Sequence, residues 1–250
     1  NEYGYVVLYA SSNKDPKNES KLIQSMINRQ VDGLILASTQ QNIEDIKLLK
    51  KKEVPFVLID RIYPKIKTNY VLVDNFRGVQ KAADHLLNLN RRKIGFVTLK
   101  PGLDAMRQRL LGYKEALKKF KINSNNSLIK ELSNVNYENE IKEALEDLVR
   151  FPNSVDAIIF STHYLTSLGL RELRRLNVKV PHDIAIVSFD ELGAFDLVDP
   201  PITSIKQPGA DIGDFSVDIL IDEIKGYKDG VDKTRMLEAF LIVRKSCGAL

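Results

Sequence analysis

The sequence predicts an α/β protein of two doubly wound parallel-sheet lobes, and three observations support this prediction. Short runs of continuous apolar residues recur along the chain, as in strands buried on both faces of a parallel sheet. Longer segments of helical periodicity separate these runs. In addition, one strand-helix-strand pattern occurs twice at similar spacing, which indicates two lobes of similar topology.

The predicted strands share runs of three or four residues that are apolar almost throughout. In chain order they are Val6-Val7-Leu8, Leu34-Ile35-Leu36, Phe56-Val57-Leu58-Ile59, Val71-Leu72-Val73, Ile94-Gly95-Phe96-Val97, Ile158-Ile159-Phe160 and Ile184-Ala185-Ile186-Val187. The predicted helices each carry an apolar stripe at intervals of three and four residues. These stripes are Leu22-Ile23-Met26-Ile27, Val79-Ala82-Ala83-Leu86-Leu87, Leu110-Tyr113-Leu117-Phe120, Ile141-Ala144-Leu145-Leu148 and Ile212-Phe215-Ile219.

The repeated pattern starts with Val-Asp before a strand. The segment 31–36 is matched by 155–160, and each is followed by a helix, a Val-Pro pair and a second strand. The two second strands end at Asp60 and Asp190. Right-handed connection of parallel strands through helices accounts for both copies.

Composition describes an ordinary globular protein. The 250 residues are 44% apolar and 28% charged, and the formal charge of +4 is too small to predict nucleic-acid binding by this chain itself. The single cysteine, Cys247, allows no internal disulfide, as expected in a reducing cytoplasm. No apolar stretch approaches the roughly 18 residues of a membrane span, and no signal peptide is visible, so we expect a cytoplasmic protein without membrane contact.

Polar residues follow the predicted strands directly. Because ligands bind beyond the carboxyl ends of strands in open α/β sheets, these residues are candidates for a binding site. The alternative is that each aspartate caps the turn or helix that follows it. The pairs and triplets concerned are Ser38-Thr39, Asp60-Arg61, Asp74-Asn75, Ser161-Thr162-His163 and Asp190-Glu191.

Arg107 begins a predicted helix, where a cation opposes the helix dipole. It precedes Leu110 and Leu111 by one turn, so we expect it on their inward face, with a carboxylate or a ligand's oxygens as its partner. Arg109 is expected to be a surface residue.

Motifs for catalysis are absent from the sequence. There is no G-x-S-x-G, H-E-x-x-H, Walker loop or G-x-G-x-x-G, and the histidines His85, His163 and His182 lack metal-ligand spacing. We therefore expect no enzyme activity, no cofactor and no metal. One alternative stays open, since two carboxylates that face a cleft could hydrolyse glycosides. Aromatic side chains that could stack on a sugar are Phe160, Tyr164, Phe189 and Phe195.

Several strings resemble the LacI/GalR family of transcriptional regulators. The segment 178–208, VKVPHDIAIVSFDELGAFDLVDPPITSIKQP, is similar to a family signature with Phe-Asp, Pro-Pro-x-Thr and Gln-Pro. The order and spacing of the other strings are also those of the family, and the resemblance covers residues 4–244. The other strings are RQVDGLIL (29–36), PFVLIDR (55–61), VLVDNFRG (71–78), HLLNLNRRKIGFV (85–97) and RQRLLGYKEAL (107–117).

This resemblance implies a type I periplasmic-binding-protein-like fold, with two lobes joined by three crossover strands. Residues 1–98 and 207–227 would form the dimerising N-lobe. Residues 99–206 and 228–250 would form the C-lobe, which would include a last strand at 236–243. The family's DNA-binding headpiece, and a strand and helix that precede GYVVLYASS, are not found in this chain, so the first sheet is expected to expose a bare core.

The resemblance also implies a function. A small polar effector, expected to be a sugar or related polyol, would bind between the lobes and control operator binding by a homodimer, with the DNA contacts in the headpiece. Asp74, Arg107 and Asp190 match family positions that bind the effector. His163 stands where the family usually has Asn, which changes the donors and acceptors offered. The complete expected contact set is Asp190, Arg107, Asp74, His163, Thr162, Ser38 and Arg61. The alternative function is an extracytoplasmic sugar-binding protein of a transporter, which shares the fold.

Overall fold

The computed structural model describes residues 4–100, 102, 104–150, 154–227 and 233–249. The chain divides into two compact units, and it passes from one to the other three times. The first unit comprises 1–72 and 209–236, and the second comprises 73–208 and 237–250. Neither unit is therefore a continuous stretch of sequence.

The regular elements alternate along the chain as the sequence predicts. The helices are α1 (Pro16–Asn28), α2 (Ile43–Lys51), α3 (Asn75–Asn88), α4 (Asp104–Lys119), α5 (Tyr137–Val149), α6 (His163–Arg175) and α7 (Gly209–Ile224). The strands are β1 (Leu34–Leu36), β2 (Phe56–Ile59), β3 (Tyr70–Val73), β4 (Ile94–Leu99), β5 (Ile129–Leu132), β6 (Ala157–Phe160), β7 (Ala185–Phe189), β8 (Thr203–Lys206), β9 (Thr234–Leu237) and β10 (Phe240–Ile242).

Polar side chains begin several of these helices. Asp15 caps α1 by accepting a hydrogen bond from the Lys17 amide. Pro16 is the first helical residue, where the lack of an amide hydrogen costs nothing because that hydrogen would have no partner in the helix. Asn42 caps α2 in the same way. These caps satisfy amides that the helix itself leaves without partners, so they fix where the helices begin.

The sheet of the first unit has the order β1-β2-β3-β9 among the described residues. Strands β1 and β2 are parallel with Leu34 opposite Phe56, and β2 and β3 are parallel with Leu58 opposite Tyr70. The core beside this sheet packs residues of α1 and α2 against β2. Its buried members are Ile23, Ile46, Leu49, Phe56, Leu58 and Tyr63.

The sheet of the second unit has the order β10-β8-β7-β6-β4-β5 in the part of the chain that the structure describes. Strands β5, β4, β6, β7 and β8 run parallel, and β10 pairs antiparallel with β8 at the edge. Every residue of β4, β6 and β7 is buried. The prediction of parallel sheets between helices is therefore confirmed.

The lobe boundaries differ from the sequence-based ones. The prediction placed 1–98 in the N-lobe, but β4 lies between β5 and β6 in the second sheet, and α3 packs against α4. Residues 73–98 therefore lie in the second unit. At the other end, the predicted strand 236–243 is two strands, because β9 pairs in the first sheet and β10 in the second. The second-unit range consequently begins again at 237, whereas 228 was predicted, and 228–232 lie outside the described residues.

The predicted strand Val6-Val7-Leu8 is wrong, because residues 4–10 carry no regular secondary structure. Val6 and Val7 are each 86% exposed, and the segment lines a groove of about 1790 Å³ within the first unit. β1, α1 and α7 contribute to the lining of the same groove.

The internal repeat is visible in the backbone. Asp60 follows β2 and Asp190 follows β7, and their φ angles are +64° and +72°. Few residues other than glycine adopt this left-handed region, although aspartate does so more readily than most. The matched strands of the repeat thus end in the same unusual turn.

Candidate ligand-binding site

A buried guanidinium group forms the centre of a polar cluster in the second unit. The Arg109 side chain on α4 is 4% exposed, and its Nε donates to Asn75 Oδ1 at 2.7 Å. Its Nη1 donates to the Ser161 carbonyl at 2.5 Å, and its Cζ lies 3.6 Å from the centre of the Phe189 ring. These partners, from the start of α3 and the ends of β6 and β7, hold the cation in one place.

Close packing of α3 against α4 makes these contacts possible. Gly112 faces α3, and a Cβ at this position would lie 2.1 Å from the Phe76 carbonyl oxygen. Because Asn75 precedes Phe76 and Arg109 lies one turn before Gly112, the absence of a side chain there brings the amide and the guanidinium within hydrogen-bond distance.

Asp190 supplies the carboxylate of the cluster. Its side chain is 20% exposed, and Oδ1 accepts a hydrogen bond of 2.5 Å from Gln207 Nε2. Its other oxygen, Oδ2, lies 3.8 Å from Arg109 Nη1 and 3.6 Å from His163 Nδ1. These are ion-pair distances, longer than direct hydrogen bonds. The backbone at Asp190 has a φ of +72°, close to that of Asp60 at the end of the matched strand.

His163 lies at the first residue of α6, and its side chain is 44% exposed. The preceding Thr162 caps the helix by accepting from the Leu165 amide at 3.3 Å. The ring of Tyr164 lies edge-on to the imidazole, with the centroids 5.5 Å apart. Burial raises the pKa of the Tyr164 phenol, so it remains a neutral donor at physiological pH.

The cluster combines a fixed cation, Arg109, with the partly buried carboxylate of Asp190 and the imidazole of His163, which can donate or accept. Ser161, Asp190 and Gln207 follow the parallel strands β6, β7 and β8, so these residues lie at the same edge of the sheet. Vicinal hydroxyls can donate to a carboxylate and accept from a guanidinium, and they fit such a set of groups. The described residues contain no group of three or more His, Cys, Asp or Glu side chains that could hold a metal ion.

The predicted orientations of the two arginines on α4 are wrong. The side chain of Arg107 is 57% exposed, and it pairs with Asp104 one turn earlier, with Nε donating to Oδ1 at 3.1 Å. Arg109, expected at the surface, is the buried one. The physical reason is that Arg107 shares its helix face with Leu111, which is itself 41% exposed, whereas Arg109 lies one turn before the buried Tyr113.

Asp74 and Thr162, two further predicted ligand contacts, cap helices α3 and α6. Asp74 Oδ1 accepts from the Arg77 amide at 2.8 Å, and Oδ2 lies 3.5 Å from Arg77 Nε. Thr162 is 3% exposed and caps α6. The capping interpretation of the sequence is thus the one that the structure shows for Asp74, and the adjacent Asn75 contacts Arg109 instead.

Ser38 and Arg61 lie in the first unit. Ser38 is fully buried, and its hydroxyl lies 2.7 Å from both Glu19 Oε1 and the Tyr63 hydroxyl. That hydroxyl is therefore hydrogen-bonded inside the unit, and its contact with an effector stays a prediction. Arg61 is partly exposed, donates from Nη1 to the Ser38 carbonyl at 3.1 Å and pairs with Asp60, and its contact with an effector stays a prediction.

The contact set expected from the sequence lacks three members of the cluster, namely Asn75, Arg109 and Gln207, although Asn75 was among the strand-end candidates. The position of Arg109 could have been predicted, since Ala105, Arg109, Gly112, Tyr113 and Ala116 form one face at helical spacing. Asn75 and Gln207 each follow a strand, but nothing in the local pattern predicts that they form hydrogen bonds with Arg109 and Asp190.

Comparison with known proteins identifies the family of this chain. Residues 83–247 match the family described as a periplasmic binding protein-like domain. A probable HTH-type transcriptional regulator, EndR of Paenibacillus polymyxa, is 28% identical over 87% of this chain and 64% of its own length. The chain therefore spans about two thirds of that relative.

Solved structures of transcriptional regulators have the same fold as this chain. The chain superposes with a TM-score of 0.85 on a putative ribose operon repressor from Burkholderia thailandensis, at 26% identity over 96% of this chain and 88% of that one. It superposes with a TM-score of 0.82 on a CelR–cellobiose complex, at 26% identity over 93% and 71% of the two chains. These relatives are transcriptional regulators, not enzymes or transport proteins. No helix among the described residues combines the length and apolar character needed to cross a membrane. The chain belongs to the periplasmic binding protein-like domain family, in the form found in LacI/GalR-type transcriptional regulators.

Proposed function

We propose that this chain is the effector-binding core of a DNA-binding repressor, and that it senses a sugar or related polyol through the polar cluster of the second unit. The observation that carries the proposal is the convergence of Arg109, Asp190 and His163 at the edge where β6 and β7 end. Ligands bind at that edge in open α/β sheets. A relative whose structure was solved in complex with cellobiose supports the choice of a sugar.

The cluster suits an uncharged polyhydroxylated guest. Arg109 is already balanced by Asp190, so a neutral ligand can bind without adding a buried charge. The partly exposed Asp190 carboxylate and His163 imidazole offer an acceptor and a second donor or acceptor to hydroxyls. Arg61 of the first unit is proposed as a further contact.

The remaining parts of the proposal concern the whole regulator. We assign operator binding to a helix-turn-helix headpiece outside these 250 residues, as the HTH-type name of EndR suggests. The protein would act as a homodimer in the cytoplasm without membrane contact. An effector that binds two conformations of the core unequally would shift the spacing of the two headpieces and so change operator affinity.

Calorimetric titration with ribose and cellobiose, extended to other sugars and sugar phosphates, tests the proposal. A bound sugar raises the melting temperature of the chain, because it binds only the folded state. Asp190→Asn keeps the size of the side chain but removes its charge, and we expect about ten- to a hundredfold weaker binding. If no sugar of the panel binds the wild-type chain, the proposal is wrong.

The two arginines of α4 provide a discriminating comparison. Arg109→Lys keeps the charge but loses the forked geometry, so we expect weakened binding. Arg107→Lys changes a surface ion pair and should bind as the wild type does. Loss of binding in the Arg107 variant alone would restore the sequence-based assignment and contradict the one made from the structure.

A further inference from the structure

The side chain of Gln207 contacts the candidate site from the end of a neighbouring strand. Strands β7 and β8 pair in parallel up to Phe189 opposite Ile205. Asp190 and Gln207 follow within two residues of that pair, and the amide nitrogen of Gln207 donates to Asp190 Oδ1 at 2.5 Å. The ladder therefore fixes the distance over which this contact forms.

The contact leaves the two oxygens of the carboxylate with different tasks. Oδ1 is held by the amide of Gln207. Oδ2 lies 3.8 Å from Arg109 and 3.6 Å from His163, beyond hydrogen-bond distance of either group. The Gln207 amide thus sets the rotation of the carboxylate, and that rotation directs Oδ2 towards the other polar groups of the cluster.

The backbone at Gln207 is itself restricted. It follows the last residue of β8 and precedes Pro208, which is buried and which disfavours helical conformations in the residue before it. The chain enters the first unit directly afterwards, at Gly209. The end of β8 and Pro208 therefore fix the position from which the Gln207 side chain reaches Asp190.

We propose that Gln207 is a positioning residue of the effector site, whose amide holds the Asp190 carboxylate in the orientation that accepts a ligand hydroxyl. This inference rests on the proposed function, since it assigns Asp190 to the effector. Gln207 need not touch the ligand itself. Its contribution to affinity passes through Asp190 alone.

The contact can be tested without any ligand, by exchanging the two side chains. Gln207→Glu places two carboxylates together, and the pair cannot both ionise at this distance. Repulsion between the two carboxylates in the folded state grows as they ionise, so the melting temperature of the variant should match that of the wild type near pH 4 and fall below it as the pH rises to 7. Gln207→Glu combined with Asp190→Asn restores an amide–carboxylate hydrogen bond with the roles reversed, and most of the loss at pH 7 should be recovered. Gln41→Glu, at an exposed glutamine, is the matched control and should show no such trend.

Binding of cellobiose and ribose then tests the positioning role. Gln207→Met keeps the length of the side chain but not its donor, and we expect about tenfold weaker binding of whichever sugar the wild type binds. The exchanged double variant should be stable yet bind poorly, because Asp190 has lost its charge. A merely structural role for Gln207 predicts instead that Gln207→Met lowers the melting temperature but leaves the affinity for the sugar unchanged.

The outcomes separate this inference from the proposed function. If the wild type binds a sugar and Gln207→Met binds it equally well, the positioning role is wrong and the proposed function stands. If the melting temperature of Gln207→Glu does not depend on pH, or the exchanged pair recovers nothing, the contact itself is refuted. If the wild type binds no sugar, the proposed function fails and the positioning role fails with it.

Discussion

Substitution of Gly112 by alanine tests the packing that supports the polar cluster. The new Cβ would lie 2.1 Å from the Phe76 carbonyl oxygen, whereas carbon and oxygen in close contact are about 3.3 Å apart. Helices α3 and α4 would have to separate by about 1 Å. Overpacking of this kind costs about 1–3 kcal/mol, and a clash with backbone cannot be relieved by a change of rotamer.

Alanine also gains helix propensity over glycine, by about 1 kcal/mol. Because the clash involves two rigid helices, we place its cost at the upper end of the range and expect a net loss of about 2 kcal/mol in the free energy of unfolding. For a chain of this size, that loss lowers Tm by about 4–8 °C. Urea and thermal unfolding followed by circular dichroism measure both quantities.

The matched control is Gly213→Ala in the middle of α7. No heavy atom lies within 4 Å of a Cβ built at Gly213, so only the gain in propensity applies and the variant should be stabilised by up to about 1 kcal/mol. We therefore expect the free energy of unfolding to fall in Gly112→Ala and to rise in Gly213→Ala. If Gly112→Ala were as stable as Gly213→Ala, the close approach of α3 and α4 would be wrong, and with it the basis of the contact between Asn75 and Arg109.

Two further predictions concern hydrogen-bonded polar groups of the second unit, one partly buried and one buried. Burial alone would raise the pKa of Glu191, but hydrogen bonds from Arg244 and Ser204 bring it below the ordinary value of 4.5. The Glu191–Arg244 pair therefore stabilises the fold above that pH and loses its effect as the pH falls further. The Tm difference between the wild type and Glu191→Gln should accordingly shrink as the pH is lowered from 7 to 3. A constant difference would contradict the pairing. The Tyr113 hydroxyl donates to the Ile94 carbonyl at 2.7 Å in a buried setting, so Tyr113→Phe should cost about 1–3 kcal/mol in urea unfolding, and an unchanged midpoint would show that this hydrogen bond contributes nothing net.

The sequence predicted the architecture because the signals for it are local. Apolar runs and helical stripes act over a few residues, and the paired Val-Asp and Val-Pro segments revealed the repeat that ends at Asp60 and Asp190. The boundary between the units could not be obtained in this way. It depends on β4 pairing with β6, and these strands are separated by two helices and a strand in the sequence.

The candidate site was predicted in part for the same reason. Asp190 and His163 follow strands, and the strand-end rule identified both. Ser38 satisfies the same rule, yet its hydroxyl is bound to Glu19, a partner from another element that no local pattern discloses. Arg109 was misjudged because Arg107 was aligned with Leu111, a residue that turns out to be exposed.

The triple passage of the chain between its units affects how the protein can be cut and made. Helix α7 and strand β9 of the first unit come from 209–236. During synthesis, nearly all of the second unit is therefore made before the first unit has all of its elements. Shortening from the carboxyl end beyond 237 begins to remove the first unit while β4 to β8 are still intact. Neither unit can be expressed as one uninterrupted piece of the gene, and a single proteolytic cleavage does not separate them.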